Sequence, residues 1–540
     1  MLNLENTFAN PAFIADAGYQ APHRFLIMGL GESGVAMAKW CLRNGAAVRL
    51  VDTRDQSQFS ERQNAWLAEL KIDGLKDIQF GPFNDELLVD IDVIGISPGL
   101  SPFLEPTQSF LAKARKARID VWSEIEFFAR AIASLGRMAQ TAASSYEAAV
   151  LAITGTNGKT TTTALTGQLC ERAGKKVAVA GNISPAALDK LMSCLNEADQ
   201  IEDMPDIWVL ELSSFQLVYT YTLNATAATV LNITQDHLDW HGDMQAYADA
   251  KAKIFGVDTI CILNCDDSLV MGLLSDEQKA EKSIVTFGSN KPDEQGAFGI
   301  EHDLRAGGID WLVWAEVDED LEPKPKRRRK STAIEEDEPL RLKRLIPADA
   351  LRIRGRHNAL NALAALALAR AAGLPMNVLL HGLRDYHGEP HRVQSIAVVN
   401  DVEYIDDSKG TNVGATVAAL NGLGSNESGK RIWLIAGGDG KGQDFGPLRE
   451  PALRFVKGVF LIGKDGAAIG EAIGKDVPCT MSGSLVDAVK TAAQQAQSGD
   501  LVLLSPACAS FDQFKDYVAR AQVFVEEVEE LGMRFEGVQA

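Results

Sequence analysis

The sequence predicts an α/β protein built from more than one domain. Three observations carry that prediction. Short apolar runs of strand length recur along the chain, and most end in a polar or Gly-rich turn. Segments of helical character separate those runs. The chain, at 540 residues, is too long for a single core, and about 150 residues per domain gives three or four.

The first unit opens with His23 to Gly34, HRFLIMGLGESG, an apolar strand running into G-x-G-x-x-G at Gly29, Gly31 and Gly34. A helix is expected from Val35 to Arg43, then a strand from Ala47 to Val51 that ends in Asp52. An acidic residue about 20 positions after such glycines is the mark of a dinucleotide-binding β-α-β unit, which also holds other nucleotide diphosphates and sugar nucleotides. Asp52 either bonds a ribose or a uracil, or caps the next segment. A further strand, Asp92 to Ser97, ends in Ser97-Pro98-Gly99. Ligands of open α/β sheets lie at that edge of the sheet. Trp122 to Gln140 reads as a helix-rich bridge to the second unit.

The second unit begins with Val150 to Ile153, a short buried strand, followed by Gly155, Thr156, Asn157, Gly158, Lys159, Thr160 and Thr161. Strand, Gly-rich turn, Lys-Thr and helix together make a phosphate cradle. Small residues let backbone N–H groups close on the phosphates, and the helix N-terminus adds about half a positive charge. Lys159 would reach the terminal phosphates and the Thr160 hydroxyl would hold Mg²⁺. The G-x-x-x-x-G-K-[ST] pattern is incomplete, since Ile153 stands where its first glycine would be, so this is a variant loop.

Lys176 to Ala180 is a strand leading into Gly181-Asn182. Ile207 to Leu212 is a strand of central, parallel type, interrupted only by Glu211. A carboxylate at the end of a buried strand is costly unless paired. It is read as a Mg²⁺ ligand, with a structural salt bridge as the plainer possibility. Ala227 to Leu231 is another strand, followed by NITQDHLDWH. His237 and His241 stand four apart, but the glutamate of H-E-x-x-H is missing, which disfavours a zinc protease. Tyr247 to Phe255 reads as helical and carries Lys251 and Lys253, one of which is explained by a snorkelling stem. Residues 316 to 344 differ in composition from their surroundings, with prolines, a basic cluster at Lys326 to Lys330 and an acidic cluster at Glu335 to Glu338. They are expected to form a solvated, mobile insertion. Leu360 to Ala369 reads as a buried helix.

The third unit opens near His391. Strands at Glu403 to Asp407, Arg431 to Ala436 and Leu501 to Leu504 run into DSKGTN, GGDGKG and SPACASFDQF, so this unit is α/β as well.

Composition narrows the function. Hydrophobic content of 46% and charged content of 23% are ordinary for a soluble globular protein. A formal net charge of −20 argues against a general nucleic-acid binder. Seven scattered cysteines make a disulfide framework unexpected and fit a reducing cytoplasm. The first twenty residues lack the pattern of a signal peptide, and no apolar stretch reaches the 18 or so residues of a membrane span.

Taken as an ordered set, the motifs resemble those of the Mur ligase family, ATP-dependent amide ligases that build the stem peptide of peptidoglycan. The resemblance rests on Gly155 to Thr161, ELSSFQL at Glu211 to Leu217, NITQDHLDWH at Asn232 to His241, GRHNALNALAA from Gly355, and His391-Arg392. DDSKGTN, GGDGKGQDF and SPACASFDQFKDY are most similar to the members that add D-glutamate to UDP-N-acetylmuramoyl-L-alanine, and MGLGESG with VDTR fits them too. The resemblance covers nearly the whole chain. It leaves out the N-terminal tail and the 316–344 insertion, and it departs at Ser184, where glycine is more usual.

That family implies three α/β domains: a Rossmann-like UDP-binding domain at 1–119, a central P-loop-type ATPase with a mainly parallel sheet at 120–388, and a Rossmann-like C-terminal domain at 389–540. It implies ATP, Mg²⁺ at two sites, small-molecule substrates, and a cytoplasmic enzyme that is a monomer and binds no nucleic acid. By the resemblance, Lys159 and Thr160 hold the ATP phosphates and Mg²⁺, and Glu211 and His237 are Mg²⁺ ligands. Lys251 corresponds to a carbamylated lysine, a carboxylate-like metal ligand. Asn358, Asn361, Arg392 and Asp407 correspond to contacts with the purine and ribose, and Asp52, Thr53 and Asn182 to contacts with the UDP-sugar. Lys409, Thr411, Ser510 and Tyr517 correspond to the D-glutamate pocket, with Lys441 on the same substrate side. A dehydrogenase would rest on Gly29, Gly31, Gly34 and Asp52 alone and would leave the Lys159 loop without a purpose. A related Mur ligase adding another amino acid, a folylpolyglutamate-type ligase and a non-catalytic nucleotide-sensing scaffold also compete with the D-glutamate ligase.

Overall fold

The computed structural model describes residues 2, 4, 7, 8, 23–141, 147–304, 308–317, 340–424 and 431–539. They form three sheets in chain order. The first contains β1 (Arg24–Met28), β2 (Ala47–Asp52), β3 (Asp77–Phe80), β4 (Val93–Ile96) and β5 (Asp120–Trp122), in the order β3-β2-β1-β4-β5. Every pairing is parallel. The central strand explains the pattern: Phe25, Leu26, Ile27 and Met28 are all fully buried, as a strand covered on both faces requires. The helix Glu32–Arg43 begins inside the Gly-rich turn, earlier than the sequence predicts. Gly34 permits this close approach, because a Cβ there would lie 1.9 Å from the Gly29 carbonyl oxygen.

The second sheet has nine strands: β6 (Ala149–Thr154), β7 (Val177–Gly181), β8 (Ile207–Glu211), β9 (Ala227–Val230), β10 (Ile260–Asn264), β11 (Ile284–Phe287), β12 (Phe298–Asp303), β13 (Ile309–Val317) and β14 (Leu340–Pro347). Their order is β14-β13-β12-β11-β10-β9-β6-β8-β7. The sheet is parallel from β12 through β7, and β12, β13 and β14 form an antiparallel extension. The predicted buried helix is Arg356–Ala371, whose Ala and Leu side chains pack on this sheet.

The extension corrects the expected limits of the insertion. Residues 316–317 and 340–344 belong to the β13–β14 ladder, with Val317 opposite Leu340 and Glu316 opposite Arg341. The reason is local. Half-buried Leu340 and Leu342 alternate with exposed Arg341 and Lys343, a period-2 pattern, and Lys343 and Arg344 lie over the rings of Trp314 and Trp311. The clusters at Lys326 to Lys330 and Glu335 to Glu338 fall outside the described residues.

The third sheet contains β15 (Gln394–Val399), β16 (Val402–Asp406), β17 (Ile432–Gly437), β18 (Val456–Ile462), β19 (Cys479–Met481) and β20 (Leu501–Leu504), ordered β15-β16-β20-β17-β18-β19. Only the edge pairing β15–β16 is antiparallel. All seven cysteines are free. Among the described residues no helix is long and apolar enough to cross a membrane.

Candidate active site

The order β9-β6-β8-β7 sets the C-terminal ends of four parallel strands side by side, and the turns after them form one wall of the site. After β6 the chain turns through Gly155 to Gly158 into the helix Lys159–Arg172. Gly158 caps that helix at φ +83°, and a Cβ there would meet Asn361 Oδ1 at 2.5 Å. The turn is held by the segment after β9. The Thr156 N–H donates to the Asn232 carbonyl at 2.9 Å, the Asn157 N–H donates to Asn232 Oδ1 at 2.8 Å, and the Thr234 N–H donates to Thr156 Oγ1 at 3.0 Å. Lys159 curls over the turn and donates to the carbonyls of Gly155 and Thr156 at 2.9 and 2.8 Å. Burial pushes its pKa below the lysine range, the nearby Glu211 carboxylate opposes that, and Arg392 adds to it.

Glu211 ends β8, opposite Ile153 on one side and Gly181 on the other. Asn182 grips it twice, its N–H donating to the Glu211 carbonyl at 2.7 Å and its Nδ2 to Oε1 at 2.8 Å. The second carboxylate oxygen, Oε2, is buried without a hydrogen-bond partner. His237 stands after β9 in the left-handed region, at φ +54°, with its Nε2 3.5 Å from Asp236. Burial lowers its pKa against the pull of Asp236, and the charges of Lys441, Lys159 and Lys251 act in the same direction as burial. His241 serves a different purpose, with Nε2 2.9 Å from Ser214 Oγ and its ring stacked on Phe215.

Lys251, on the helix Met244–Ala252, is 1% exposed and donates to the Gly155 carbonyl at 2.9 Å. Burial drives its pKa well below the ordinary lysine value, and the charge of Lys159 pushes it further down. Lys253 lies beyond that helix, exposed, donating to the Val218 carbonyl.

The opposite wall comes from the third unit. Arg392 donates to Thr160 Oγ1 at 2.7 Å, and the Lys409 amine is 3.5 Å from the same oxygen. Asn412 donates to Asn157 Oδ1 at 3.0 Å. A cleft of about 330 Å³ lies between the two walls. It brings together Lys159, Thr160, Asn182, Glu211 and His237, with Arg392, Lys409, Thr411 and Tyr517 from across the divide. An adjoining cleft of about 270 Å³ shares Asn157, Gly158, Arg392 and Lys409 and extends past Thr161 to Asn358, Asn361 and Asp407. Burial pushes the Asp407 carboxyl up to about 7, against the hydrogen bond it accepts from Ser505 at 2.7 Å. Burial, together with the Arg392 charge, brings Lys409 down to about 8.

Some expected residues stand apart from both clefts. Lys251 lies behind the turn after β6. Asp52 and Thr53 lie at the end of β2. There Asp52 accepts from the Leu30 N–H at 2.8 Å and pairs with Arg54, and these bonds outweigh burial and hold its carboxyl below the usual range. Ser510 is buried, its carbonyl accepting from the Gln513 and Phe514 amides. Lys441 lines neither cleft, but its charge is felt at His237.

Other side chains of the site are given no role by the sequence patterns. Asp236 and Asn412 line the larger cleft, and Phe287 and His357 the smaller. The Tyr247 hydroxyl sits 3.1 Å from Thr156 Oγ1, and His391 Nδ1 is 2.6 Å from Asp406 Oδ2. His391 belongs to the His391-Arg392 pair, Asp236 to the NITQDHLDWH stretch, Asn412 to DDSKGTN and His357 to GRHNALNALAA, so all four had a signal. Tyr247 offers only its spacing of four from Lys251.

Among the described residues no three His, Cys, Asp or Glu side chains converge as a ready-made metal cage. The unpartnered Glu211 oxygen, the Thr160 hydroxyl and the His237 ring are nevertheless the donors a Mg²⁺ bound with phosphate oxygens and water would need, since that ion takes few protein ligands.

The chain matches the Mur ligase middle domain over residues 153–369, the Mur ligase glutamate ligase domain over 391–508, and the MurD-like N-terminal domain of Mur ligases over 23–123. It is 54% identical over 520 residues to a UDP-N-acetylmuramoylalanine--D-glutamate ligase of Cupriavidus pinatubonensis, covering 95% of this chain and 98% of that protein. It is 55% identical over 522 residues to the ligase of that name from Cupriavidus metallidurans, with 95% and 98% covered. In fold it is similar to MurF from Acinetobacter baumannii, with a TM-score of 0.55 at 17% identity over 97% of this chain and 100% of that one. It is also similar to MurF ligase from Thermotoga maritima in complex with ADP, with a TM-score of 0.54 at 17% identity over 96% and 95%.

Proposed function

The chain belongs to the Mur ligase family, and on that premise we propose that it joins D-glutamate to UDP-N-acetylmuramoyl-L-alanine, with cleavage of ATP to ADP and phosphate, in the synthesis of peptidoglycan precursors. The observation that carries this reading is the contact of Arg392 and Lys409 with Thr160 across the larger cleft. Cations from one unit meet the phosphate loop of another, where a triphosphate and an acceptor have to meet.

A carboxylate is a poor electrophile toward an amine. An oxygen of the L-alanyl carboxylate attacks the γ-phosphorus, and ADP leaves with the electrons of the broken P–O bond. The D-glutamate amine then attacks the acyl carbon, and the tetrahedral intermediate collapses with expulsion of phosphate and loss of the amine proton. Phosphoryl transfer is mostly positioning and charge neutralisation. Gly155 to Gly158, with Lys159 and Thr161, cradle the phosphates. Arg392, Asn358, Asn361 and Asp407 take the nucleoside end in the smaller cleft. Lys409, Thr411, Tyr517, Ser510 and Lys441 serve the D-glutamate carboxylates, and Asp52, Thr53 and Asn182 the UDP-sugar.

Thr160, Glu211 and His237 would hold Mg²⁺ at two sites, and the ion when bound neutralises phosphate charge. The lowered pKa of Lys251 supports a neutral amine able to add CO₂. That step forms an N–C bond, releases a proton and leaves a carbamate anion. The neighbouring Lys159 charge, which disfavours an ammonium there, favours such an anion. The first domain ends just after β5, a few residues beyond the expected 119, the second ends near 388, and the enzyme works as a monomer in the cytoplasm.

The test is a panel of acceptors in a phosphate-release assay with ATP, Mg²⁺ and UDP-N-acetylmuramoyl-L-alanine. D-Glutamate alone is expected to drive release. Turnover with another amino acid, or on a folate substrate, would overturn the assignment.

A further inference from the structure

The Gly-rich turn after β1 carries a charge in an unfavourable place. Glu32 is the first residue of the helix Glu32–Arg43. The N-terminus of such a helix is where a diphosphate binds, because unpaired N–H groups and the helix dipole favour an anion there. A carboxylate free to swing over that end would repel the ligand.

The structure holds this carboxylate elsewhere. Ser184 Oγ donates to Glu32 Oε1 at 2.8 Å, across 152 residues of sequence and from one unit to the next. Ser184 is the position at which the resemblance drawn from the sequence expects a glycine. Its loop is fixed at both ends. Asn182 is bonded to Glu211, the Gly181 N–H donates to the Pro185 carbonyl at 3.0 Å, and the Leu188 N–H donates to Glu124 Oε1 at 2.6 Å. The hydroxyl is thus presented by a braced loop rather than a loose one.

We propose that Ser184 is a positioning residue for the UDP-linked substrate, drawing the Glu32 carboxylate toward the central unit and away from the diphosphate. Glu32 and Ser184 are then a matched pair, and a glycine at 184 would require an uncharged residue at 32. The inference rests on the function proposed above, in particular on a diphosphate at the first Gly-rich turn.

The experiment is equilibrium binding of UDP-N-acetylmuramoyl-L-alanine to the full-length protein by calorimetry, with no turnover involved. Ser184→Ala should weaken binding about tenfold, an effect of the size expected for one like charge near an anion, and that loss should shrink as salt is raised. Glu32→Gln should bind at least as tightly as wild type. In Ser184→Ala/Glu32→Gln the affinity should return to within about twofold of wild type, because the offending charge is gone. Ser184→Thr should keep the wild-type value. A merely structural bond predicts instead that the double variant is as weak as Ser184→Ala or weaker, and that result, or an unaffected Ser184→Ala, overturns the proposal. Failure of the wild-type protein to bind the UDP-linked compound at all would overturn the function reading, and this inference with it.

Discussion

At the scale of single residues, Lys251 carries the most exposed claim. Its amine is buried, its pKa is well below the ordinary lysine range, and it touches the Gly155 carbonyl of the phosphate turn. Lys251→Ala is expected to lower kcat by about a hundredfold or more, with partial recovery on adding a short carboxylic acid such as formate. A variant that keeps most of its rate would remove the carbamate role. Gly158→Ala tests the turn itself. A Cβ at φ +83° and 2.5 Å from Asn361 Oδ1 should weaken ATP binding by about tenfold or more while leaving UDP-substrate affinity unchanged, as calorimetry with each ligand would reveal. Lys159, Thr160 and Glu211 were legible because each stands at a fixed offset from the end of an apolar run. The partners of Asn412, the last residue of DDSKGTN, and of Tyr247 were not. Asn412 meets Asn157 from 255 positions away and Tyr247 meets Thr156 from 91, and no local pattern encodes either meeting.

At the scale of elements, Glu124 shows how one helix caps another. Its carboxylate takes the Leu188 N–H at the start of the helix Ala187–Glu197, and burial raises its pKa from 4.5 to about 7. A folded-state pKa above the unfolded one means stability that is complete below about 4.5 and is lost as pH rises through about 7. That displacement corresponds to roughly 3 kcal/mol at most. Glu124→Gln, which keeps an acceptor for Leu188, should therefore show a smaller fall in melting temperature between pH 5 and 8 than wild type. An equal fall in both proteins would contradict this. The strands of parallel type were easy to read, since β20 is a continuous apolar run and β6 and β8 are apolar up to their last residue. The β13–β14 ladder was obscured because Arg341, Lys343 and Arg344 give β14 the composition of a solvated segment, although its leucines alternate.

At the scale of the whole molecule, the site exists only where two units face each other. Thr160 lies in the helix after β6 and Arg392 just before β15, in different units, and their contact closes the larger cleft. Arg392→Ala should raise the KM for ATP and lower kcat together, by about a hundredfold in kcat/KM, because it removes a contact to ATP and a bond between the walls. Unchanged kinetics would mean that the cleft is not the reacting site. The three α/β units follow from strand-and-turn patterning. Their mutual placement does not, since it depends on side chains such as Asn412 and Ser184 reaching across boundaries. Activation of a carboxylate by phosphoryl transfer in that cleft is the step on which the whole mechanism stands. It is tested most directly by making UDP-N-acetylmuramoyl-L-alanine with ¹⁸O in its alanyl carboxylate and examining the phosphate released during ligation to D-glutamate. Each phosphate formed is expected to carry a single oxygen from the labelled carboxylate. Phosphate free of the label, formed at the rate of the amide product, would contradict that mechanism.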